Sequence, residues 1–311
     1  MKPYVSIVVP IYNESGNLEV LYERLTKVLD NLDKSYEIIF TDDGSKDNSL
    51  KKLVELYQRR PQQIRVIEFQ KNFGQHMATM AGFAQARGEI IVTLDADLQN
   101  PPEEIPKLIA KMEEGYDLVS GYRSNRQDNW FRKYVSVVIN YIRAKITRIK
   151  MVDHGCMLRA YRRNVIDAMV ANQEATIFIP ALAYSCATKP AEIEVAHAER
   201  LAGKSQYRLY SLIRLNFDLM TGYSLVPLQF FTFLGCSIAI LSVLFFLYLL
   251  LRRIFLGPEV DGVFTLFAVL FFLIGVILMS LGIMGEYIGR IYQEVRHRPR
   301  FVIKKILGVD Q

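Results

Sequence analysis

Residues 89–103 read EIIVTLDADLQNPPE, and the interpretation of the whole chain begins with this stretch. Its opening, 89–92, is an apolar β-branched run that predicts a buried strand. Alternate side chains of a strand share a face, so we expect Asp95 and Asp97 to direct two carboxylates at one point. Such a pair favours a site for Mg²⁺ or Mn²⁺ that also holds a substrate phosphate. A solvated acidic turn is the alternative for the short motif alone.

The first part of the chain alternates between short apolar runs and amphipathic segments. The apolar runs predict five strands, at 5–9, 36–40, 65–69, 89–92 and 117–120, and a further strand is predicted later in the chain at 192–197. The intervening segments predict helices at about 15–32, 47–59, 77–86 and 103–114. Alternation of strand and helix through short connections indicates an α/β fold with a mostly parallel sheet.

Polar clusters follow four of these strands at the point where each one ends. They are Tyr12-Asn13-Glu14, Asp42-Asp43, Asn72, and Asp95 with Asp97. Because ligands of parallel sheets bind beyond the carboxyl ends of the strands, the clusters predict one shared site. Neither the G-x-G-x-x-G nor the G-x-x-x-x-G-K-[ST] pattern occurs, so a dinucleotide or P-loop site is not indicated.

Two segments near the carboxyl end, 228–251 and 263–284, carry no charged side chain and are long enough to cross a bilayer of roughly 30 Å. The segment before them, 207–227, has apolar residues near helical spacing, which predicts an interfacial amphipathic helix and linker. A surface helix packed on the domain is the alternative. Basic residues in the tail at 285–311 predict that both termini and residues 1–206 are cytoplasmic.

The net charge of +6 favours anionic partners. Much of the basic excess lies beside the apolar segments, so lipid headgroups and phosphorylated substrates are better candidates than nucleic acid. The planar guanidinium of arginine can bind two phosphate oxygens at once. A set of arginines and serines therefore predicts a second phosphate site. The alternative is that these are ordinary surface arginines. The members of the set are Arg123, Arg126, Arg132, Ser136, Arg200 and Ser205.

A metal-held diphosphate beside a nucleoside pocket is typical of transfer from a nucleotide sugar or of nucleotidyl transfer. Nucleotidyl transfer does not explain the apolar segments. A lipid phosphate acceptor explains both those segments and the basic set.

Four motifs together resemble the family-2 glycosyltransferases, and within them the polyprenyl-phosphate glycosyltransferases: PIYNE at 10–14, DDGS at 42–45, DADLQ at 95–99 and RLAGKS at 200–205. The resemblance covers essentially the whole chain. It implies a GT-A, Rossmann-like catalytic domain at 1–206, followed by an interfacial helix and two transmembrane helices. It also implies a UDP-sugar donor, undecaprenyl phosphate as acceptor, Mg²⁺ or Mn²⁺ as cofactor, and the bacterial inner membrane as location.

Three longer segments, 95–106, 155–163 and 285–292, are similar to undecaprenyl-phosphate 4-deoxy-4-formamido-L-arabinose transferases, which act in lipid A modification. The sugar rests on this resemblance alone, and glucose, galactosamine, N-acetylglucosamine and mannose remain open. We expect selectivity around four residues: Asn72, Gln75, His76 and His154. Rival hypotheses are a processive polysaccharide synthase and a membrane subunit with an inactive transferase domain.

The resemblance further implies roles for residues on the donor side. Asp97 and Gln99 are expected to hold the metal, with Asp95 beside the diphosphate and ribose. The uridine pocket is expected to consist of Pro10, Tyr12, Glu14 and Asp42.

On the acceptor side, the lipid phosphate is expected to bind Arg123, Arg132, Ser136 and Arg200, with Asp153 near the transferred sugar. One departure concerns the loop at 200–205. Relatives often carry a basic residue directly after the serine, and here that residue is Gln206, so Lys204 would have to replace it. A lipid monophosphate is already anionic, so we expect a single displacement with inversion that needs little general-base help. The role of Asp153, as base or orienting group, and the oligomeric state remain open.

Overall fold

The computed structural model describes residues 2–123, 153, 155–172, 178–198, 226–256, 263–295 and 299–308. These residues fall into two compact units. The first unit is an eight-stranded sheet with its helices, and the second contains two long apolar helices.

The first unit opens with alternating strands and helices, as the sequence pattern predicts. Its opening elements are β1 (Val5–Ile11), α1 (Leu18–Asp30), β2 (Tyr36–Asp42), α2 (Ser49–Arg59), β3 (Ile64–Phe69), α3 (Gln75–Gln85), β4 (Ile90–Thr93), α4 (Ile105–Glu113) and β5 (Leu118–Tyr122). A single 3-10 turn, Pro102–Glu104, leads into α4. Later elements are β6 (Arg159–Arg162), α5 (Arg163–Ala171), α6 (Ile179–Cys186), β7 (Pro190–Glu194) and β8 (Ile303–Leu307).

The strands are ordered β7-β5-β6-β4-β1-β2-β3-β8. β1 pairs in parallel with both β2 and β4, and β2 pairs in parallel with β3. β6 runs antiparallel to its neighbours β4 and β5, whereas β7 is parallel to β5. β8 closes the far edge antiparallel to β3. The sheet is therefore mostly parallel.

Helices cover both faces of this sheet. Successive side chains of each strand point to opposite faces, so each strand contributes apolar residues to both. In β1, Val5, Ile7 and Val9 belong to the apolar core that includes α1, α2 and α4. Val8 belongs to a second core that includes α3, α5 and α6. The two cores explain why the strands are nearly continuous apolar runs.

Two features of the sheet differ from the sequence-based prediction. The predicted strand at 192–197 is displaced, since β7 covers Pro190–Glu194. Nothing in the sequence indicated β8, because residues 285–311 were interpreted as a basic tail. Helix geometry continues to Val295, and the chain then returns to the first unit as a strand.

The second unit consists of α7 (Val226–Leu256) and α8 (Val263–Val295), which are 31 and 33 residues long. Within the described residues, Val269–Gly289 has the length and composition of a membrane span, and Leu228–Ile238 is a shorter apolar run. Large apolar side chains of both helices are exposed, including Phe233 and Phe271. The predicted interfacial segment lies outside the described residues except for its last two positions, which begin α7.

The contact of α3 with β1 supplies a test of the packing. A Cβ added to Gly82 would lie 2.3 Å from Cγ1 of Val8, too close for two carbon atoms. Overpacking of this kind costs about 1–3 kcal/mol. We expect Gly82→Ala to lower the Tm of the detergent-solubilised protein by about 3–8 °C. Val8→Ala should lower the Tm less in the Gly82→Ala background than in the wild type, because it makes room for the added methyl group. An unchanged Tm in Gly82→Ala alone would contradict the packing described here.

Candidate active site

The carboxyl ends of β1, β2 and β4 lie side by side at the same end of the sheet. Ile11 lies opposite Asp42 in the parallel register of β1 and β2, and Val8 lies opposite Thr93 in that of β1 and β4. The polar segments that follow these strands therefore start side by side. This arrangement forms the crevice in which ligands of open parallel sheets bind.

The two aspartates at the end of β2 have different surroundings. Asp43 accepts hydrogen bonds from the backbone N–H groups of Phe73 (2.6 Å) and Gly74 (2.9 Å), so it fixes the loop that follows β3. Asp42 Oδ2 accepts one bond from the N–H of Ser45 (3.2 Å). Its Oδ1 is buried and has no hydrogen-bond partner among the described residues. The hydroxyl of Thr41, one residue earlier, is also buried and has no hydrogen-bond partner among the described residues.

Burial governs the charge of both carboxyl groups. It raises the pKa of Asp42 and of Asp43 above the usual range, although hydrogen bonds to Ser45 and to the 73–74 backbone oppose the shift. A buried acceptor without a donor is costly. Asp42 is therefore the residue of the crevice that most needs a polar ligand.

Gly44 allows the loops after β2 and β3 to approach each other closely. Its φ is +67°, and a Cβ here would lie 2.7 Å from the carbonyl carbon of Lys71. Only glycine adopts this left-handed φ readily and also leaves room for the Lys71 backbone. Asn72 also contacts this turn, since its side-chain amide donates to the carbonyl of Asp43 at 3.2 Å.

The segment after β1 is tied to the segment after β2. The N–H of Asn13 donates to Ser45 Oγ (3.0 Å), and Asn13 Oδ1 accepts from the N–H of Lys46 (2.8 Å). Glu14 accepts a bond from the Asn17 amide at 2.6 Å. Of the predicted pocket residues, Tyr12 is 38% exposed, whereas Pro10 and Glu14 are half-buried. The exposed ring of Tyr12 is available for stacking against a flat ligand.

Asp95 and Asp97 do not lie on a strand, which corrects the sequence-based argument for their shared face. β4 ends at Thr93, and the aspartates belong to a turn in which Leu98 adopts a φ of +62°. Asp95 is half-buried and accepts a 2.6 Å bond from Gln75 Nε2. Asp97 is only 8% exposed, and its Oδ1 accepts from the N–H of Gln99 (3.1 Å).

The donor set near this turn limits the kind of metal that fits. No group of three or more His, Cys, Asp or Glu side chains suited to a metal occurs among the described residues. A closed structural metal centre is therefore not built from that part of the chain. One or two carboxylates with waters and substrate phosphates make up the usual Mg²⁺ site, and Mn²⁺ also prefers oxygen ligands. The oxygens of Asp95, Asp97 and Gln99 are consistent with this type of site.

Arg123 and Asp153, predicted in separate roles, form an ion pair. Arg123 Nε donates to Oδ2 of Asp153 at 2.6 Å, and Nη2 donates to Oδ1 at 3.0 Å. The side chains are 17% and 5% exposed. The bond to Asp153 is the largest cause of the raised pKa of Arg123. This bidentate geometry fixes the plane of the guanidinium.

Arg159 was not predicted as a site residue, yet it supports the loop that carries Asp153. It is fully buried at the start of β6. Its nitrogens donate to the carbonyl of Cys156 (2.9 Å), to Ser120 Oγ (3.0 Å) and to the carbonyl of Asp153 (3.2 Å). The available signal was a charged residue directly after the apolar run 156–158, because a charge that becomes buried must find partners.

His76 is the second residue of α3 and lies one position after Gln75. Its ring meets the ring of Phe178 edge-on, with centroids 5.3 Å apart. Nδ1 is buried without a hydrogen-bond partner among the described residues, although the whole side chain is only half-buried. Burial, and secondly the charge of Arg159, lowers the pKa of His76 to about 4. The ring is therefore neutral at pH 7.

Five predicted acceptor-side residues lie outside the described residues, as does His154. They are Arg126, Arg132, Ser136, Arg200 and Ser205.

The model of glycosyl transferase family 2 matches residues 6–170 of this chain. That stretch contains β1 to β5, the crevice, and most of α5. The chain belongs to glycosyltransferase family 2. It is therefore a glycosyltransferase, and its first unit has the GT-A fold.

Relatives in this family match nearly the whole chain. The undecaprenyl-phosphate 4-deoxy-4-formamido-L-arabinose transferase of Proteus mirabilis is 50% identical over 309 residues, which cover 99% of this chain and 95% of that protein. The transferase of the same name from Aeromonas hydrophila is 48% identical over 305 residues, covering 97% and 94%.

A solved structure extends the comparison of the fold. Glucosyl-3-phosphoglycerate synthase from Mycobacterium tuberculosis, in complex with Mn²⁺, UDP and phosphoglyceric acid, is similar with a TM-score of 0.50. The identity is 16%, and the match covers 70% of this glycosyltransferase and 76% of that chain. The similarity concerns the fold.

The neutral state of His76 predicts a pH effect on stability. Its pKa rises from about 4 in the folded protein to about 6.5 in the unfolded chain, so only the unfolded chain takes up this proton between those values. Stability is then lost as the pH falls from about 6.5 towards 4. We expect His76→Met to show a smaller drop in Tm between pH 7 and pH 5 than the wild type. Parallel pH profiles of the two proteins would contradict this assignment.

Proposed function

We propose that this glycosyltransferase moves a sugar from a UDP-sugar to undecaprenyl phosphate, with 4-deoxy-4-formamido-L-arabinose as the sugar. The observation that carries the proposal is near-full-length identity of 48–50% to transferases of that name. The match covers 94–95% of those proteins, so it includes both the catalytic unit and the apolar helices of this chain. The crevice at the ends of β1, β2 and β4 is the proposed donor site.

The uridine is proposed to bind beside Asp42. Uracil carries an N–H donor and ribose carries hydroxyl donors, and either can donate to the buried Oδ1 of Asp42. Tyr12 offers an exposed ring for the base. Pro10 and Glu14 are proposed to complete the pocket from the β1 side.

A divalent ion is proposed at Asp97 and Gln99, with Asp95 beside the diphosphate. Support comes from the oxygen-rich donor set and from the Mn²⁺ and UDP bound by glucosyl-3-phosphoglycerate synthase. The ion would neutralise charge that develops on the departing diphosphate. The chain itself holds Asp95 through Gln75 and Asp97 through the Gln99 backbone.

On the acceptor side, Arg123 is proposed to hold the lipid phosphate. Its Nε and Nη2 bond to Asp153, whereas Nη1 has no hydrogen-bond partner among the described residues. We propose the same function for Arg126, Arg132, Ser136, Arg200 and Ser205.

Asp153 is proposed to orient Arg123, and base catalysis is not required of it. A phosphate monoester is already an anionic nucleophile, so no proton must be removed before it attacks the anomeric carbon. A carboxylate held bidentately by arginine is also a weak base, because protonation would break two charged hydrogen bonds. The reaction is proposed as a single in-line displacement with inversion, in which positioning supplies much of the rate.

The second unit is proposed to anchor the enzyme in the bacterial inner membrane. α7 and α8 would both span the bilayer, since each exceeds the roughly 20 residues that a spanning helix requires. The basic residues that follow α8 then favour a cytoplasmic tail and a cytoplasmic catalytic unit. The UDP-sugar and the lipid phosphate would meet at this face.

The direct test is an assay of the purified protein with undecaprenyl phosphate and a panel of UDP-sugars, with Mg²⁺ or Mn²⁺. We expect UDP release and glycolipid formation together, with UDP-4-deoxy-4-formamido-L-arabinose as the preferred donor. Preference for another sugar would retain the reaction and replace the donor. Absence of turnover with every donor, in protein that binds UDP, would refute the proposal.

Asp97→Asn tests the metal assignment, because asparagine keeps an oxygen that accepts the bond from the Gln99 N–H but removes the negative charge. We expect turnover to fall by about a hundredfold or more with the Tm unchanged. Full activity in this variant would refute the metal assignment.

The orienting role of Asp153 predicts strong coupling to Arg123. Asp153→Asn and Arg123→Gln should each lower kcat/KM for undecaprenyl phosphate by about ten- to a hundredfold, the scale of a charged hydrogen bond. The double variant should be little worse than Arg123→Gln, because Asp153 acts through Arg123. Additive losses, with Asp153→Asn lowering only kcat, would indicate a base instead.

The control for this cycle is Glu89→Gln. Glu89 directly precedes β4 and forms a surface ion pair with Arg162 (3.1 Å), which the substitution removes. This pair lies at the amino end of β4, whereas the crevice lies at its carboxyl end. The substitution should leave both kinetic constants unchanged.

A further inference from the structure

The carboxyl-terminal strand β8 lies directly beside the strand that leads into the donor crevice. β8 pairs with β3 from Val66 opposite Leu307 to Phe69 opposite Ile303, with an irregularity between Glu68 and Phe69. Lys304 Nζ contacts Glu68 at 2.5 Å. The chain reaches this place only after α8, more than two hundred residues after β3.

The residues just before β8 hold the end of β3 and the first residue beyond it. The ring of Phe301 stacks on the ring of Phe69, with centroids 5.2 Å apart and planes 11° apart. The carbonyl of Val302 accepts a 3.0 Å bond from the N–H of Gln70. One backbone bond and one aromatic stack therefore determine the direction in which the chain leaves β3.

A continuous set of contacts leads from Phe301 to the donor site. Phe69 meets Phe73 edge-on at 5.6 Å. The N–H of Phe73 donates to Asp43, the neighbour of Asp42. Two residues later, Gln75 donates to Asp95 at 2.6 Å.

Asp43 holds the loop between β3 and α3 at its last two residues, and the first residue of the loop bonds to Val302. Lys71 and Asn72 are exposed, Phe73 is half-buried, and Gly74 has a φ of +97°. Phe69, in contrast, is 2% exposed and is rigidly placed in the sheet. Packing on Phe69 is thus the main route by which a side chain can fix the loop from the β8 side.

We propose that Phe301 is a positioning residue for the donor site. By packing on Phe69 it helps Asp43 to hold the loop at 70–74, and this loop leads to Gln75 and its bond to Asp95. The inference rests on the proposed function, because it presumes that UDP binds in this crevice. The consequence is that the affinity for UDP depends on the packing of Phe301 against Phe69.

The test compares Phe301→Ala, Phe301→Leu and Phe301→Tyr in the full-length protein in detergent. UDP binding is measured by titration calorimetry with MnCl₂ present, together with Tm and both KM values. An aromatic pair contributes enough for about a fivefold effect. We expect Phe301→Ala to raise the Kd for UDP and the KM for the UDP-sugar by about fivefold, with the acceptor KM unchanged.

Phe301→Tyr keeps the stacked ring and should restore wild-type affinity. Phe301→Leu keeps most of the volume but loses the ring, so it should raise the Kd even if the alanine variant does not fold. Val302→Ala is the matched control, because it truncates an exposed apolar side chain next door and keeps the bond from Gln70. It should behave as the wild type.

The possible results separate the two proposals. A lower Tm with wild-type Kd in the alanine and leucine variants would make Phe301 purely structural and would overturn the inference alone. Failure of the wild type to bind UDP would overturn the proposed donor site and this inference with it. An equal rise of donor and acceptor KM would also contradict a role confined to the donor loop.

Discussion

The parallel pairing of β1 with both β2 and β4 is the constraint on which the rest of the catalytic unit depends. It places the ends of three strands at one edge, where the chain must leave the sheet through polar turns. The pairing is stable because each strand is apolar on both faces and is covered by helices on both. A slip of one residue would exchange the two faces and would separate Asp42 from the β1 turn.

Buried charge in this unit is used to fix backbone as much as to bind ligands. Asp43 orders the loop after β3, Arg159 holds the loop that carries Asp153, and Asp153 in turn orients Arg123. Such groups are costly to bury without partners, so their full satisfaction makes the surrounding loops rigid. Rigid loops suit the proposed reaction, in which positioning supplies much of the rate and an anionic acceptor needs no base.

The strands of the first half of the chain could be predicted to within about two residues because their apolar runs are bounded by turn residues. The fourth strand illustrates the limit of that reasoning. Its apolar run continues past Thr93 to Leu94, but the left-handed conformation at Leu98 belongs to a turn that alternation cannot reveal. The aspartates were therefore expected on the strand, whereas they lie in the turn that follows it.

Contacts between distant parts of the chain could not be predicted from local patterns. β8 pairs with a strand more than two hundred residues earlier, and its sequence, IKKIL, resembles a basic tail. The same limit applies to Arg123 and Asp153, which are 30 residues apart and were assigned to different ligands. Their pairing depends on the loop geometry fixed by Arg159, and a single sequence carries no local signal for that geometry.

A structure of the full-length protein in a lipid nanodisc with UDP and Mn²⁺ would test the central claim most directly. The account predicts uracil beside Asp42, with the diphosphate and ion at the turn of Asp95 and Asp97. A nucleotide bound elsewhere, or a crevice that stays empty at saturating UDP, would contradict it.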